Sequence, residues 1–329
     1  MTNGMTAVGF SVKPMRVGAE IVGLDLEKPI SDATRAALYA TWLEHGILLF
    51  REAVKTNAQH LALSRCFGKL EMHPMPEIRA KDEPYLIELG GSRRGSASAY
   101  VYDGDQLREG RLPWHRDTAY TLEICKGALL RLVEVPPKDG ETLFADSQKA
   151  YDQLPEATKQ RIDKLEFKAT LRMGPFQQSR PGALWHSVRP ATPEEFSGSA
   201  QLWAGKEIIN RYPSVVHPVV IQHPETGRKS LYISPTYIDT FIGMDQVESD
   251  ALLAELAGYL ADPSNVYAHH WTPNDVMLWD NRRFLHAAMG FDPQYHRTGL
   301  RTTLAGALRS GRYFAKPAED FLPAANIND

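Results

Sequence analysis

An imidazole and a carboxylate stand two residues apart in Leu112-Pro113-Trp114-His115-Arg116-Asp117-Thr118, and they can grip one ligand together only if the backbone there is extended. In a β-strand, residues i and i+2 project from the same face. In a helix the two side chains would diverge by roughly 200°. Pro113 suits the opening of a strand better than a helix interior. As a metal-binding pair, His115 and Asp117 therefore demand β-structure around them. Alone, a His-x-Asp pair is most often a surface pair or a satisfied histidine.

A second stretch gives the pair meaning. Residues 276–288, Val-Met-Leu-Trp-Asp-Asn-Arg-Arg-Phe-Leu-His-Ala-Ala, run from an apolar strand pattern through a polar turn to His286 among apolar neighbours. Two imidazoles and one carboxylate form the facial set that leaves positions open on a non-haem Fe(II) for a co-substrate and O2. The same donors with an open position also suit a hydrolytic Zn(II). Arg297 and Arg301 follow at a spacing of four, which on one strand puts two cations on a common face near the metal.

These motifs, in this order, resemble the taurine/chlorophenoxyacetate dioxygenase (TauD/TfdA) family of Fe(II)- and 2-oxoglutarate-dependent oxygenases, over about residues 12–309. Trp114-His115-Arg116-Asp117 is similar to the family's W-H-x-D, and Gly140-Glu141-Thr142 to its G-[DE]-T. Trp279-Asp280-Asn281-Arg282 leading to His286 is similar to its W-D-N-R-x-x-x-H, and the turn from His223 to Arg228 to its H-P-x-T-G-R. The resemblance implies iron ligands His115, Asp117 and His286. It implies that Thr142 and Arg297 hold the distal carboxylate of 2-oxoglutarate, with Arg301 near its C1 carboxylate and the substrate. Phe67-Gly68-Lys69-Leu70-Glu71-Met72-His73-Pro74 reads by spacing as a turn histidine before a proline, whereas the family places this histidine at the substrate. Taurine-specific members carry a tyrosine three residues after it. Pro76 stands there in this chain, which argues against taurine.

The formal charge is −3, with 37 basic and 40 acidic residues interspersed, so no basic field marks a nucleic-acid or membrane-surface partner. The expected partner is a small molecule, with a carboxylate or sulfonate to balance the second arginine, Arg301, and a homo-oligomer is expected. No apolar run approaches the roughly 20 residues that span a bilayer. Two distant cysteines, Cys66 and Cys125, and no signal-like N-terminal run predict free thiols in the cytoplasm.

Ile47-Leu48-Leu49-Phe50 reads as a buried strand, and residues 128–135 and 142–145 read as strands beside a Pro-Pro-Lys-Asp-Gly turn. Ser31 opens a helix whose apolar stripe is assigned to Ala36, Ala37, Tyr39, Ala40 and Leu43. Thr56-x-x-Gln59 is a capping box. Residues 147–165 are helical with a break at Pro155, and Asp245 caps a helix whose core residues are assigned as Val247, Leu252, Leu253, Leu256 and Leu260. His269 and His270 point to opposite faces of an extended segment and are structural. Many short strands with a few helices predict a mainly β chain with flanking helices around a double-stranded β-helix, a cupin-like jelly-roll core. No repeat or boundary divides residues 1–329, which read as a single domain. Residues 90–113, which include a Gly/Ser-rich run with no G-x-G-x-x-G spacing, and residues 172–216 are expected to be lids or inserts.

The expected activity is oxidation, foremost hydroxylation, of a C–H bond in a small anionic substrate, with Fe(II), 2-oxoglutarate and O2 consumed to give succinate and CO2. Desaturation or another oxidative outcome, a metal-dependent hydrolase and a non-catalytic binding protein on the same fold remain as alternatives.

Overall fold

The protein is described by a computed structural model covering residues 8–73, 76–90, 99–102, 105–171, 189–192, 194–195, 212–306 and 308–317. Strand Gly127–Glu134 lies at its centre. Its sequence, GALLRLVE, is buried along the first six residues, because both faces are covered and alternation with polar residues has nothing to serve. Ala128, Leu130 and Leu132 face inward with Met277, Trp279, Phe144 and Phe284. Leu129 faces outward, among Leu38, Trp42, Leu61 and Phe67.

This strand belongs to a nine-stranded sheet. In order the strands are Ser11–Pro14, Ala19–Val22, Ile47–Phe50, Val276–Asp280, Gly127–Glu134, Thr298–Leu304, Glu83–Gly90 and Arg79–Ala80, with Leu70–Glu71 also on Thr298–Leu304. A second sheet orders Val266–His269, Thr142–Asp146, Phe284–Ala288 and Leu112–His115, all antiparallel. The two sheets are the walls of a jelly roll, and helices lie outside it. Among the described residues no helix is long and apolar enough to cross a membrane.

Local chemistry sets the helix ends. Ser31 accepts from the Thr34 amide, and Gly46 ends the helix Asp32–His45 at φ 74° with its N–H on Trp42 O. A Cβ at Gly46 would sit 2.6 Å from the Phe284 ring, so both the turn and the packing require glycine there. The Thr56/Gln59 capping box forms at Asn57–Ser64. Pro155 separates Ser147–Gln153 from Glu156–Ile162, and Asp245 caps Gln246–Leu260.

Two assignments are corrected. The first helix buries Leu38 and Trp42, while Ala36 and Ala40 are exposed and Ala37, Tyr39 and Leu43 only half-buried. Leu38 and Trp42, four residues apart, supply more apolar area than the alanine-rich stripe and so set the rotation of the helix. Val247 is 80% exposed. It lies in the first turn of its helix, which precedes the buried run from Ser249 to Leu260. The expected lids fall largely on residues 91–98, 103–104, 172–188, 193 and 196–211, outside the described residues.

Candidate active site

Strand Leu112–His115 ends at His115, so Asp117 stands at the start of the following turn and not on the strand itself. What carries the carboxylate to the histidine is a clamp. The Asp117 amide donates to Asn281 Oδ1 at 3.0 Å, and Asn281 Nδ2 donates to the carbonyls of Asp117 and Cys125, each at 3.1 Å. Between His115 and Asp117, Arg116 turns the other way into the interior. Its guanidinium donates to Asn281 O at 2.5 Å, Ser147 Oγ at 2.6 Å and Leu231 O at 3.1 Å, and lies over the Tyr232 ring. Burial lowers its pKa to about 10, a cost set against these charge-assisted bonds.

His286 arrives from the neighbouring strand. It pairs directly with His115 on one side and with Phe144 on the other, so three side chains share one rung of the second sheet and one face of it. The imidazole of His286 lies 4.1 Å from that of His115 and 4.8 Å from the Trp279 ring, measured between centroids. His115 Nδ1 is 2.7 Å from Pro113 O, which makes Nδ1 the protonated nitrogen and leaves Nε2 with a lone pair for a ligand.

The three groups converge. Nε2 of His115 is 3.8 Å from Asp117 Oδ1, Nε2 of His286 is 3.8 Å from Asp117 Oδ2, and one donor atom from each residue lies within 4.8 Å of the other two. Asp117 Oδ2 is buried and accepts no hydrogen bond, an arrangement that an added cation would complete. Burial favours neutral forms here, and the imidazoles follow it, with His115 lowered and His286 well below its ordinary value. Asp117 does not follow it. Burial alone would raise its carboxyl, but the charge and hydrogen bond of Arg301 outweigh burial and hold it well below the usual carboxylate range. Two neutral imidazoles and one carboxylate are the protonation states that metal binding needs, so the donor set fits Fe(II).

Beyond the triad stand the other expected residues. Thr142, two residues from Phe144, shares the inward face of the second sheet. Arg297 reaches it from just before strand Thr298–Leu304, donating to Gly140 O at 3.1 Å and to Thr142 Oγ1 at 3.4 Å. Its pKa is brought down to about 10 by burial, offset in part by Glu141. Arg301 lies within the strand, and its Nη1 is 2.7 Å from Asp117 Oδ1. His73 is buried two residues past strand Leu70–Glu71, where Glu71 pairs with Thr303.

Sequence reasoning passed over what positions these groups. Asp280 receives Arg282 through two parallel bonds of 2.9 and 2.7 Å and His223 Nε2 at 2.9 Å, while Arg282 Nη1 reaches Glu225 at 2.7 Å. The W-D-N-R motif thus ties the His286 strand to the turn at His223 through Asp280 and Arg282, and fixes Asp117 through Asn281. Trp271 Nε1, 3.0 Å from Thr142 Oγ1, was missed because it belongs to no motif. His269 bonds to Asp275 and Tyr267, and His270 faces Glu141 from the exposed side, as expected of structural histidines.

Comparison with known proteins agrees with this geometry. The family model "Taurine catabolism dioxygenase TauD, TfdA family" matches residues 11–303. The chain is 32% identical over 302 residues to the (S)-phenoxypropionate/alpha-ketoglutarate-dioxygenase of Sphingobium herbicidovorans, covering 90% of this chain and 95% of that protein. Its fold is similar to a taurine dioxygenase from Burkholderia xenovorans, with TM-score 0.72 and 25% identity over 97% of this chain and 99% of that one. It is also similar to AAD-2 solved with Mn(II) and N-oxalylglycine, with TM-score 0.68 and 25% identity over 92% and 99% of the two chains.

Proposed function

From the premise that this chain belongs to the TauD/TfdA family and is an Fe(II)- and 2-oxoglutarate-dependent dioxygenase, we propose that His115, Asp117 and His286 are its iron ligands, that Thr142 and Arg297 hold the distal carboxylate of 2-oxoglutarate, and that the substrate is a small organic anion met by Arg301 and His73. The observation that carries this reading is the convergence of one donor atom from each of the three ligands within 4.8 Å, between two sheets, with a buried Asp117 oxygen left without a partner.

Iron, when bound with 2-oxoglutarate and O2, supplies the oxidising chemistry that releases succinate and CO2 and attacks a C–H bond. The protein's part is positional. Pro113 O fixes the His115 tautomer, Asn281 fixes the backbone that presents Asp117, and the Phe144 and Trp279 rings hold the His286 plane. The Arg297 guanidinium is anchored through Nε to Gly140 O, which leaves its fork to meet a carboxylate. Apolar walls from both sheets keep water from the buried donors.

An acidic substrate follows from the names of the relatives and from charge. Phenoxypropionate and taurine, which name two of them, are a carboxylate and a sulfonate. Arg301 is largely enclosed, its side chain 12% exposed, and its only described ion-pair partner is Asp117. Once that carboxylate is shared with a divalent cation, a buried arginine gains from an additional anion, since an uncompensated one costs several kcal/mol.

The test is succinate release from the Fe(II)-loaded protein across a panel of small carboxylates, sulfonates and sulfate esters. Stimulation by an acidic compound, abolished in Asp117→Ala, is the expected result. Hydrolysis supported by Zn(II), with no 2-oxoglutarate turnover under any compound, would overturn the assignment of the site. Binding without oxidation would place the chain among non-catalytic relatives.

A further inference from the structure

A threonine hydroxyl has one hydrogen to donate and two lone pairs to accept with. Thr142 Oγ1 is approached by the Trp271 indole N–H at 3.0 Å and by Arg297 Nη2 at 3.4 Å. Both neighbours are donors that cannot accept. The two lone pairs are therefore occupied, and the hydroxyl hydrogen must find a third partner, one that accepts. We propose that Trp271 is a positioning residue for 2-oxoglutarate, which by occupying one lone pair of Thr142 turns the hydroxyl into a one-way donor aimed at the co-substrate's distal carboxylate.

The indole is itself held for this task. Trp271 lies two residues beyond strand Val266–His269, in which His269 pairs with Thr142 across the sheet. The His269 ring stands edge-on to Trp271 with centroids 4.5 Å apart and planes at 89°. His269 is fixed at both nitrogens, Nε2 by Asp275 at 3.2 Å and Nδ1 by the Tyr267 hydroxyl at 3.0 Å. Asp275 is fixed in turn by Arg51 at 2.9 Å and by the Thr272 amide at 3.1 Å. A chain of contacts thus runs from Arg51 through Asp275 and His269, across an edge-on ring contact to Trp271, and ends on the indole bond to Thr142.

Without the indole N–H, the Thr142 hydroxyl regains a free lone pair and its hydrogen is no longer restricted to the side of the carboxylate. The loss falls on binding, since the hydroxyl lies at the end of 2-oxoglutarate remote from the reacting keto acid. This inference rests on the assignment of Thr142 and Arg297 to the co-substrate, and the two can fail separately.

Trp271→Phe keeps an aromatic ring against His269 and deletes only the N–H. N-oxalylglycine would be titrated into Mn(II)-loaded parent, Trp271→Phe, Thr142→Val and the double variant, with thermal unfolding of each as a check on folding, alongside steady-state kinetics with 2-oxoglutarate. One lost hydrogen-bond restraint of about 1 kcal/mol predicts a roughly fivefold rise in Kd and in KM for 2-oxoglutarate in Trp271→Phe. The kcat at saturating co-substrate should stay within about twofold. In the Thr142→Val background, Trp271→Phe should add less than about twofold, because the hydroxyl it orients is gone. An equal loss in both backgrounds would show that Trp271 acts only by packing and would overturn the inference, as would an unchanged Kd in Trp271→Phe while Thr142→Val binds weakly. An unchanged Kd in Thr142→Val would overturn the co-substrate assignment itself.

Discussion

Arg301 Nη1 lies 2.7 Å from Asp117 Oδ1, so the carboxylate of the candidate metal site, which follows a strand of the second sheet, is neutralised by a cation from the first. The contact joins the two walls of the barrel at the site. It also keeps Asp117 ionised against the cost of burial.

Removing the carboxylate tests the metal assignment. Asp117→Ala should lower Fe(II) affinity by roughly 100-fold or more, beyond the 10–100-fold that loss of an outer-shell partner costs, and turnover should fall with it. Competition against a chelator of known affinity reads the first effect. Full iron-dependent activity in this variant would falsify the ligand set.

Arg297→Lys keeps a cation but removes the fork that binds a carboxylate through two parallel bonds. The KM for 2-oxoglutarate should rise about tenfold, a loss of about 1.4 kcal/mol of binding. A folded variant with an unchanged KM would remove Arg297 from the co-substrate site.

Asn281 touches no expected ligand of the reaction, yet its side chain makes three hydrogen bonds to backbone groups around Asp117. Asn281→Ala leaves a buried amide and two buried carbonyls without these partners. It should destabilise the fold by about 1–3 kcal/mol, the usual desolvation cost of one such group, and weaken iron binding about tenfold through misplacement of Asp117. Denaturant unfolding and metal titration separate the two effects. Loss of stability with unaltered iron affinity would mean that Asn281 supports the fold alone.

A neutral amide or ester analogue of a true substrate should bind much more weakly than the acid, with the difference shrinking in Arg301→Gln. Equal binding of acid and neutral analogue to the parent enzyme would end the anionic-substrate proposal.

Asp280 sets part of the acid limb of stability. Burial would raise its carboxyl, but the bonds from His223 and Arg282 outweigh burial and hold it well below the usual range. A depressed folded-state value means that the unfolded chain binds the proton first, so this stabilisation is complete above the unfolded value near 4 and is lost as pH falls through the folded one. Unfolding free energy should therefore drop as pH falls below about 4, and Asp280→Asn, less stable at neutral pH, should show a shallower drop. Parallel pH profiles for parent and variant would contradict the assigned role.

Much of the site was legible because its chemistry needs particular residue types in a fixed order. His115, Asp117, His286, Thr142, Arg297 and Arg301 were singled out from motifs, spacing and a family resemblance, and the structure brings the first three together, Arg297 to Thr142 and Arg301 to Asp117. Helix ends were legible too, since Ser31, Thr56 and Asp245 cap through bonds spanning three residues. Which helical face is buried was less so. The first helix turned Leu38 and Trp42 inward against the large sheet, because these two side chains bury more apolar area than the alanine-rich stripe beside them.

What the sequence by itself determined is local: a strand that ends at His115, capped helices, and buried strands around two imidazoles and a carboxylate. What only the tertiary structure decided is how distant parts complete one another. Asn281 reaches back 164 residues to hold Asp117, Arg301 crosses 184 residues to neutralise it, and Trp271 crosses 129 to reach Thr142. Strand periodicity says which side a residue faces, but not which strand lies opposite. That is fixed by the register in which two sheets bury their apolar faces together, a property of the whole chain.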